Sequence, residues 1–220
     1  MTRNAQTLGC LDGSGYLPVI RVRRGQKLRI RFNKRLPEFS IVHWHNLHIV
    51  QRMDGHPMYA IGAGKTFVYE FVVDNRAGTY WFHPHPHGRT GTLMRGQFML
   101  NGRTSGDDMM EVSGDEKVRL GTTEVWAFVN QRSGMSMVHP MHIHNLQFRV
   151  IGRSGPGGGL QQDLIAGATD EGLKDVGMVM PGERVRELMT FDSHTGLYLD
   201  HCHILEHEDL GMMRNYLVQA

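Results

Sequence analysis

The sequence predicts an all-β fold made of two β-sandwich domains. Short stretches rich in branched and aromatic residues recur along the whole chain, and turns that contain glycine or proline separate them. A weak internal repeat indicates two related halves, since residues 19–50 and 111–150 both run through a strand-like stretch and a loop to a strand bearing His-x-His. A chain of 220 residues is long enough for two domains. Short strands joined by such turns are typical of sandwiches.

In the first half the pattern predicts six strands. They cover residues 17–22, 27–32, 41–50, 66–73, 79–83 and 97–100. A locally basic run from Arg21 to Arg35 crosses the first two, and its basic residues alternate with apolar ones. Because successive side chains of a strand point to opposite faces, we interpret this run as the solvent-exposed faces of two strands.

In the second half the pattern predicts five strands and a short helix. The strands cover residues 124–130, 146–151, 184–191, 197–203 and 215–218, and the helix lies within residues 204–209. The glycine-rich stretch 152–162 is interpreted as a flexible excursion, because strand character resumes after it. We place the domain boundary so that domain 1 spans residues 1–98 and domain 2 spans residues 99–220.

Composition excludes some classes of function and favours another. The formal net charge of +2 is small, so no nucleic-acid partner is expected. No apolar run approaches the about 18 residues of a membrane span, and the first residues lack the order of a secretory signal. The chain contains 14 His and 15 Met, a bias that suits copper. Of its two cysteines, Cys202 lies among histidines, so Cys10 is expected to be an unpaired thiol.

Four His-x-His pairs carry the clearest chemical signal. They are His43/His45, His83/His85, His142/His144 and His201/His203. Residues two apart on a strand share a face, so each pair can present two imidazoles to one place. Eight convergent imidazoles are too many for one tetrahedral zinc ion and suit a cluster of several metal ions.

The last pair encloses a cysteine that must face the other way. In the stretch "HCH", His201 and His203 share one face of the strand and Cys202 points to the opposite face. By the same alternation His139 lies opposite His142 and His144. His139 and Cys202 thus share a face, and His207 and Met212 complete the set. Together they give two imidazoles, a thiolate and a weak thioether, the ligand set of a blue-copper centre. A structural zinc site of Cys202, His203 and His207 is the alternative, but it leaves His139 and the adjacent methionines without a role.

These motifs together resemble the multicopper oxidase family, in its laccase and bacterial cuprous oxidase types. The stretches "HWHNLHI", "WFHPHPHG", "HPMHIHNLQF" and "HCHILEHEDLGMM" stand in the order of the family's motifs. The resemblance implies two cupredoxin-like Greek-key sandwiches and four copper ions per chain. By position it implies a type 1 copper held by His139, Cys202, His207 and Met212, a type 2 copper held by His43 and His142, and a type 3 pair held by His45, His83, His85, His144, His201 and His203.

The resemblance also implies an activity. Phenolic or aromatic donors, or cuprous ions, would lose single electrons at the type 1 copper, and Cys202 would carry them to the cluster. There dioxygen would be reduced to water. Asp54 and Glu208 match acids that assist proton delivery or oxygen chemistry in the family, although an isolated Asp before Gly often forms a turn. The resemblance further implies a periplasmic or secreted location.

The chain departs from the commonest members of the family because it lacks a middle domain. Each half supplies four of the eight cluster histidines, so neither half suffices. A short connection between the halves favours pairing between subunits, and we therefore expect a homotrimer with its clusters between subunits. Two rival functions are a two-domain copper nitrite reductase, which needs a lone type 2 copper, and a non-catalytic copper-binding protein of the same fold.

Overall fold

β-Strands dominate the structure, which is a computed structural model. It describes residues 20–35, 37–86, 99–100, 103–104, 112–131, 137–155, 170–209 and 211–220. Across these residues the chain forms strands, three short 3-10 helices and one short α-helix, which confirms the all-β class. Cys10 and most of the glycine-rich stretch 152–162 lie outside the described residues.

The described strands fall into two groups along the chain. Those of the first half are β1 (Lys27–Asn33), β2 (Ser40–Trp44), β3 (Thr66–Val72) and β4 (Phe82–Pro86). Two short strands follow, β5 (Met99–Leu100) and β6 (Arg103–Thr104). Those of the second half are β7 (Lys117–Arg119), β8 (Thr123–Val129), β9 (His139–Ile143), β10 (Phe148–Ser154), β11 (Val176–Val179), β12 (Arg184–Thr190), β13 (Gly196–Cys202) and β14 (Met213–Gln219). The helix α1 spans Leu205–Asp209, and 3-10 helices span Gln51–Met53, Pro57–Tyr59 and Gly114–Glu116.

The first half packs two antiparallel strand pairs around its own core. Strand β1 pairs with β3 in an alternating exposed and half-buried pattern, as its alternating basic and apolar residues require. Strand β2 pairs with β4, and this pairing sets His43 opposite His83. Among the described residues of this half, the buried apolar core consists of Ile41, Trp44, Leu47, Ile49, Phe67, Tyr69, Phe71 and Val73.

The second half contains two larger sheets. One has the order β10-β12-β8, and the other has the order β11-β9-β13-β14-β7. Strands β9 and β13 are antiparallel neighbours, with His201 opposite His142 and Cys202 opposite Met141. The core of this half includes Phe128, Met141, Ile143, Phe148, Val185, Met189, Tyr198, Cys202 and Tyr216. The two halves thus have separate cores, although the exact boundary between residues 98 and 99 stays a prediction.

In the first His-x-His pair of each half, the strand ends between the two histidines. Strand β2 ends at Trp44 and β9 ends at Ile143, so His45 and His144 lie one residue beyond. Asn46 and Asn145 follow them with φ values of 64 and 66 degrees. Asparagine tolerates this left-handed conformation better than most residues, and a strand cannot continue through it. The predicted strand over residues 41–50 is therefore shorter in the structure.

The two halves of one chain meet across buried polar contacts. His56 Nε2 lies 2.9 Å from Asn215 Oδ1, and both residues are almost fully buried. The Tyr198 hydroxyl donates a hydrogen bond to the Ile49 carbonyl at 3.3 Å. These contacts dock β13 and β14 of the second half onto the first half. The helices of the described residues include none that is long and apolar enough to cross a membrane.

Candidate metal centre

The structure gathers all eight histidines of the four pairs into one place, which we call the histidine cluster. Their ring nitrogens converge in three groups whose ligand atoms lie within 4.8 Å of one another: His43, His142 and His144; His45, His83 and His203; His85, His144 and His201. Four of the eight come from each half. Three groups agree with the three copper ions that the resemblance implies here, although His144 is shared by two of them.

Short nitrogen–nitrogen distances define these groups. His43 Nε2 lies 3.1 Å from His142 Nε2, across the boundary between the halves. His45 Nε2 lies 3.0 Å from His83 Nε2 and 3.1 Å from His203 Nε2. His144 Nε2 lies 3.2 Å from His201 Nε2. In each case Nε2 faces inward, as nitrogens that share a metal ion must.

The opposite ring nitrogen of six cluster histidines is held by an oxygen atom. Nδ1 lies 2.5 to 3.1 Å from a carbonyl or carboxylate oxygen in His43, His45, His83, His142, His144 and His201. When Nδ1 carries the proton and donates it to that oxygen, Nε2 keeps a free lone pair. Such partners fix the tautomer and the ring orientation of metal-binding histidines.

Burial keeps the cluster histidines neutral. It is the largest cause that lowers the pKa of His45 to about 2 and that of His83 to about 4. Burial and neighbouring imidazoles lower the pKa of His43, His142 and His144 well below the usual value. Neutral imidazole is the form that binds a metal ion.

The residues around Cys202 form a second and separate centre, which we call the cysteine centre. Cys202 Sγ lies 3.5 Å from Nδ1 of His139 and 3.5 Å from Nδ1 of His207. The two Nδ1 atoms are 3.2 Å apart, so the three donor atoms form a nearly regular triangle. The Met212 carbonyl accepts a hydrogen bond from the Cys202 amide, and the Met212 amide donates one to the His207 carbonyl. These contacts place the backbone of Met212 next to Cys202 and His207.

The donor set of the cysteine centre fits copper. A trigonal set of two imidazoles and one thiolate is typical of blue-copper sites. Burial raises the pKa of the Cys202 thiol to about 11, so binding a metal ion there must release the thiol proton. Because Cys202 stands between His201 and His203 in the chain, a covalent path connects the two centres.

Both predicted acids lie beside cluster histidines. Asp54 Oδ2 lies 2.6 Å from His144 Nδ1, and burial raises the pKa of Asp54 well above its usual value. Glu208 lies in α1 and places its carboxylate 3.3 Å from His85 Nε2 and 3.6 Å from His201 Nδ1. Both predicted acids therefore lie next to histidines of the cluster.

Two residues that the sequence analysis did not identify contact His45 of the cluster. The Asp175 carboxylate lies 2.8 Å from His45 Nδ1. Trp81 stacks on the His45 ring with a centroid distance of 3.8 Å. Trp81 could have been found from its place two residues before His83, whereas Asp175 stands 31 residues after His144 in a stretch without histidines.

An apolar cavity opens beside the histidine cluster. Its volume is about 560 Å³, and its lining includes Phe39, Trp81, His83, His203 and Leu205. The first three belong to the first half, and the last two belong to the second half. The cavity therefore lies at the boundary between the halves, next to two histidines of the cluster.

The position of the cluster differs from the expectation of clusters between subunits. One chain brings together all eight histidines, because β2 and β4 of the first half face β9 and β13 of the second half. The short connection between the halves does not prevent this contact. The arrangement needs no second subunit to complete the set.

The fold and the two centres define an all-β protein with candidate metal sites at the cysteine centre and the histidine cluster. A family model described as multicopper oxidase matches residues 89–220, more than half of the chain, and a second multicopper oxidase model matches residues 1–105. The chain belongs to the multicopper oxidase family.

Curated relatives agree with this assignment over part of their length. A laccase of Haloferax volcanii is 44% identical over 120 residues, which make up 54% of this chain and 19% of that protein. A laccase of Bacillus subtilis is 37% identical over 109 residues, or 45% of this chain and 21% of that protein. The aligned part of this chain thus spans about a fifth of the length of these relatives.

Solved structures show the same fold at low identity. The chain is similar to a variant of the multicopper oxidase McoA from Aquifex aeolicus, with a TM-score of 0.71 and 20% identity. The match covers 92% of this chain and 90% of that chain. A multicopper oxidase from Campylobacter jejuni, described as a metallo-oxidase, gives a TM-score of 0.68 at 19% identity and covers 90% and 84% of the two chains. These likenesses confirm the cupredoxin-like sandwiches of the fold.

Proposed function

We propose that this chain is a laccase-like multicopper oxidase. It would take single electrons from a phenolic or aromatic donor, or from cuprous ions, and reduce dioxygen to water. Copper would supply the electron transfer: one ion at the cysteine centre and three at the histidine cluster. The ligands would be the four residues of the cysteine centre, Met212 included, and the eight cluster histidines.

One observation carries this proposal. Cys202 forms a triangle of donor atoms with His139 and His207. In the chain it stands directly between His201 and His203, two members of the cluster of eight histidines. An electron-transfer centre and a site for several metal ions are thereby joined through the backbone of a single strand. This layout separates oxidation of the donor from reduction of dioxygen.

The protein supplies protons and access as well as ligands. Reduction of one dioxygen to two waters consumes four electrons and four protons. Asp54 and Glu208 hold carboxylates beside His144, His85 and His201, where they can pass protons inward. The cavity beside His83 and His203 offers dioxygen an entrance.

The rival functions are less well supported. A nitrite reductase needs a lone type 2 copper, and three groups of converging ring nitrogens, two of which share His144, exceed that need. A non-catalytic copper-binding protein would not require acids and an open cavity next to the cluster. Both rivals predict that dioxygen is not consumed.

The homotrimer and the periplasmic or secreted location stay separate predictions. One chain already holds the whole histidine cluster, so the trimer would have to be stabilised by other surfaces. A native mass equal to one chain of 25.0 kDa, with copper bound and oxidase activity retained, would refute the trimer.

Oxygen uptake tests the proposed activity. The copper-loaded chain should consume dioxygen when a phenolic donor is added, and Cys202→Ser should reduce uptake to the background rate because it removes the thiolate. Cys10→Ser makes the same chemical change at the other cysteine of the sequence and should leave uptake unchanged. A copper-loaded wild-type chain that consumes no dioxygen with either phenolic donors or cuprous ions would refute the proposal.

A further inference from the structure

Asp175 contacts histidines from both halves of the chain. Its carboxylate oxygen Oδ2 lies 2.8 Å from Nδ1 of His45, which belongs to the first half. Its own backbone carbonyl lies 2.7 Å from Nδ1 of His142, which belongs to the second half. The two histidines stand in different all-histidine groups, and the Asp175 carboxylate forms a further group of converging ligand atoms with both of them, so one residue contacts ligands of two proposed copper positions.

Asp54 makes the corresponding two contacts from the first half of the chain. Its backbone carbonyl lies 2.5 Å from Nδ1 of His43, in its own half. Its carboxylate lies 2.6 Å from Nδ1 of His144, in the other half. Each half therefore contributes one aspartate whose carbonyl holds the first histidine of its own pair and whose carboxylate reaches the second histidine of the other pair.

The backbone around Asp175 is fixed. Lys174 and Phe148 exchange two backbone hydrogen bonds of 2.8 Å, and the Ile143 amide donates to the Asp175 carbonyl at 3.2 Å. Strand β11 then begins at Val176. The side chain is about one-sixth exposed, at 17%, whereas Asp54 is almost fully buried. Asp175 thus combines a rigid backbone with a carboxylate at the edge of the cluster.

We propose that Asp175 is a positioning residue that orients His45 and His142 and, with Asp54, joins the two halves around the histidine cluster. This inference rests on the proposed function. Both Nδ1 atoms donate to oxygen atoms of Asp175, which turns both Nε2 lone pairs inward. This role of Asp175 does not depend on which electron donor the protein oxidises.

Removing the hydrogen-bond partner of a metal-binding histidine lowers metal affinity by a typical amount. Loss of the group that orients a metal-binding histidine typically costs about 10- to 100-fold in metal affinity. In Asp175→Ala the contact to His142 survives, because a backbone carbonyl remains, whereas the contact to His45 is lost. The cysteine centre should be unaffected, since its residues His139, Cys202 and His207 make no contact with Asp175 among the described interactions.

The experiment compares copper binding at the two centres. Purified full-length variants are titrated with copper against a chelator, and bound copper is followed by metal analysis, by the visible thiolate-to-copper band and by electron paramagnetic resonance. Asp175→Ala should lower the copper affinity of the histidine cluster about 10- to 100-fold and leave the thiolate-to-copper band unchanged. Asp175→Asn keeps an acceptor oxygen and should recover most of that affinity. It should also change the type 2 copper resonance, because the carboxylate that it replaces lies 3.8 Å from Nδ1 of His142, a proposed type 2 ligand. Asp74→Ala is the control, because Asp74 is an exposed acid that pairs with Arg24.

The outcomes separate the inference from the proposed function. A wild-type chain that binds no copper at the cluster overturns both. Full cluster occupancy and an unchanged resonance in Asp175→Ala overturn the inference alone, as does equal loss of copper at both centres in an Asp175→Ala chain that is folded. If Asp175→Ala does not fold, a type 2 resonance of Asp175→Asn identical to wild type overturns it.

Discussion

Cys202 is the residue that connects the cysteine centre with the histidine cluster. It is fully buried at the end of β13, and its sulfur points to His139 and His207 while its neighbours point to the cluster. Alternation along a strand was enough to predict this division from the sequence. The ligand roles themselves stay predictions until copper is measured.

Residue spacing predicted the histidines but not the residues that orient them. The stretches "HWH" and "HCH" are local patterns, so the sequence displays them directly. The contact between Asp175 and His45 joins residues 130 positions apart, and only the fold brings them together. Long-range partners of this kind leave no local pattern in one sequence.

Glu208→Gln tests the proton role at the level of one residue. The amide keeps the size of the side chain next to His85 and His201 but cannot carry a proton as a carboxylate does. We expect normal copper content and a dioxygen turnover lowered by about 100-fold or more, within the range attributed to general acid–base groups. Copper analysis and oxygen uptake measure the two effects. Intact copper loading with normal turnover would exclude this role for Glu208.

At the scale of elements, most strand centres were predicted and several ends were not. The strand at Lys27–Asn33 and that at Arg184–Thr190 lie close to the predicted ranges. No predicted range covers strands β6, β7 and β11. Strand β9 was expected only from the internal repeat, because His139–Ile143 carries a proline and ligand residues rather than the usual strand pattern. The predicted strand at residues 17–22 falls partly outside the described residues, and residues 20–22 are not in a strand.

Gly55 holds the loop that carries Asp54 against strand β2. Its φ is 88 degrees, and a Cβ there would overlap the Val42 carbonyl oxygen and the His43 backbone. The loop can lie this close to a cluster strand only because the residue has no side chain.

Gly55→Ala should therefore destabilise the chain more than the backbone conformation alone explains. Gly64 has a φ of 75 degrees, but a Cβ at this position would meet no atom within 4 Å, so Gly64→Ala is a matched control. We expect Gly64→Ala to cost about 1–2 kcal/mol of unfolding free energy, the usual cost of the left-handed conformation. Gly55→Ala should cost clearly more and also lower copper binding at the cluster. Equal losses in urea unfolding would contradict this account.

At the scale of the whole molecule, the histidine cluster is where the two halves are joined. Each half folds around its own core, but neither contains a complete group of ring nitrogens. The sequence predicted that the halves must meet. It did not predict that they meet within one chain, because the contact depends on how β2 and β4 dock against β9 and β13.

The buried histidines make the stability of the copper-free chain depend on pH. The pKa of every cluster histidine is lowered in the folded state, that of His83 to about 4, from an ordinary value of 6.5. The unfolded chain therefore binds protons first as pH falls. The stability present above pH 6.5 is lost progressively below it, down to about pH 4 for the contribution of His83 and to about pH 2 for that of His45. Buried Asp54, Glu187 and Asp200, whose pKa values are raised, act in the opposite direction but are fewer.

We accordingly expect the melting temperature of the copper-free chain to be lower at pH 5 than at pH 7.5. Copper should raise the melting temperature at both pH values without removing this difference, because the difference arises from protonation of the unfolded chain. Calorimetry with and without copper measures both effects. A copper-free chain that is more stable at pH 5 would contradict the assignment of neutral buried histidines.

The number of copper ions bound per chain tests the central claim most directly. The account predicts about four copper ions per chain in the purified, copper-loaded protein, one at the cysteine centre and three at the histidine cluster. Metal analysis against protein concentration gives this number without any assumption about the donor. A value of about one or two copper ions per chain would contradict the account, because the cluster would then not hold the metal ions that dioxygen reduction requires.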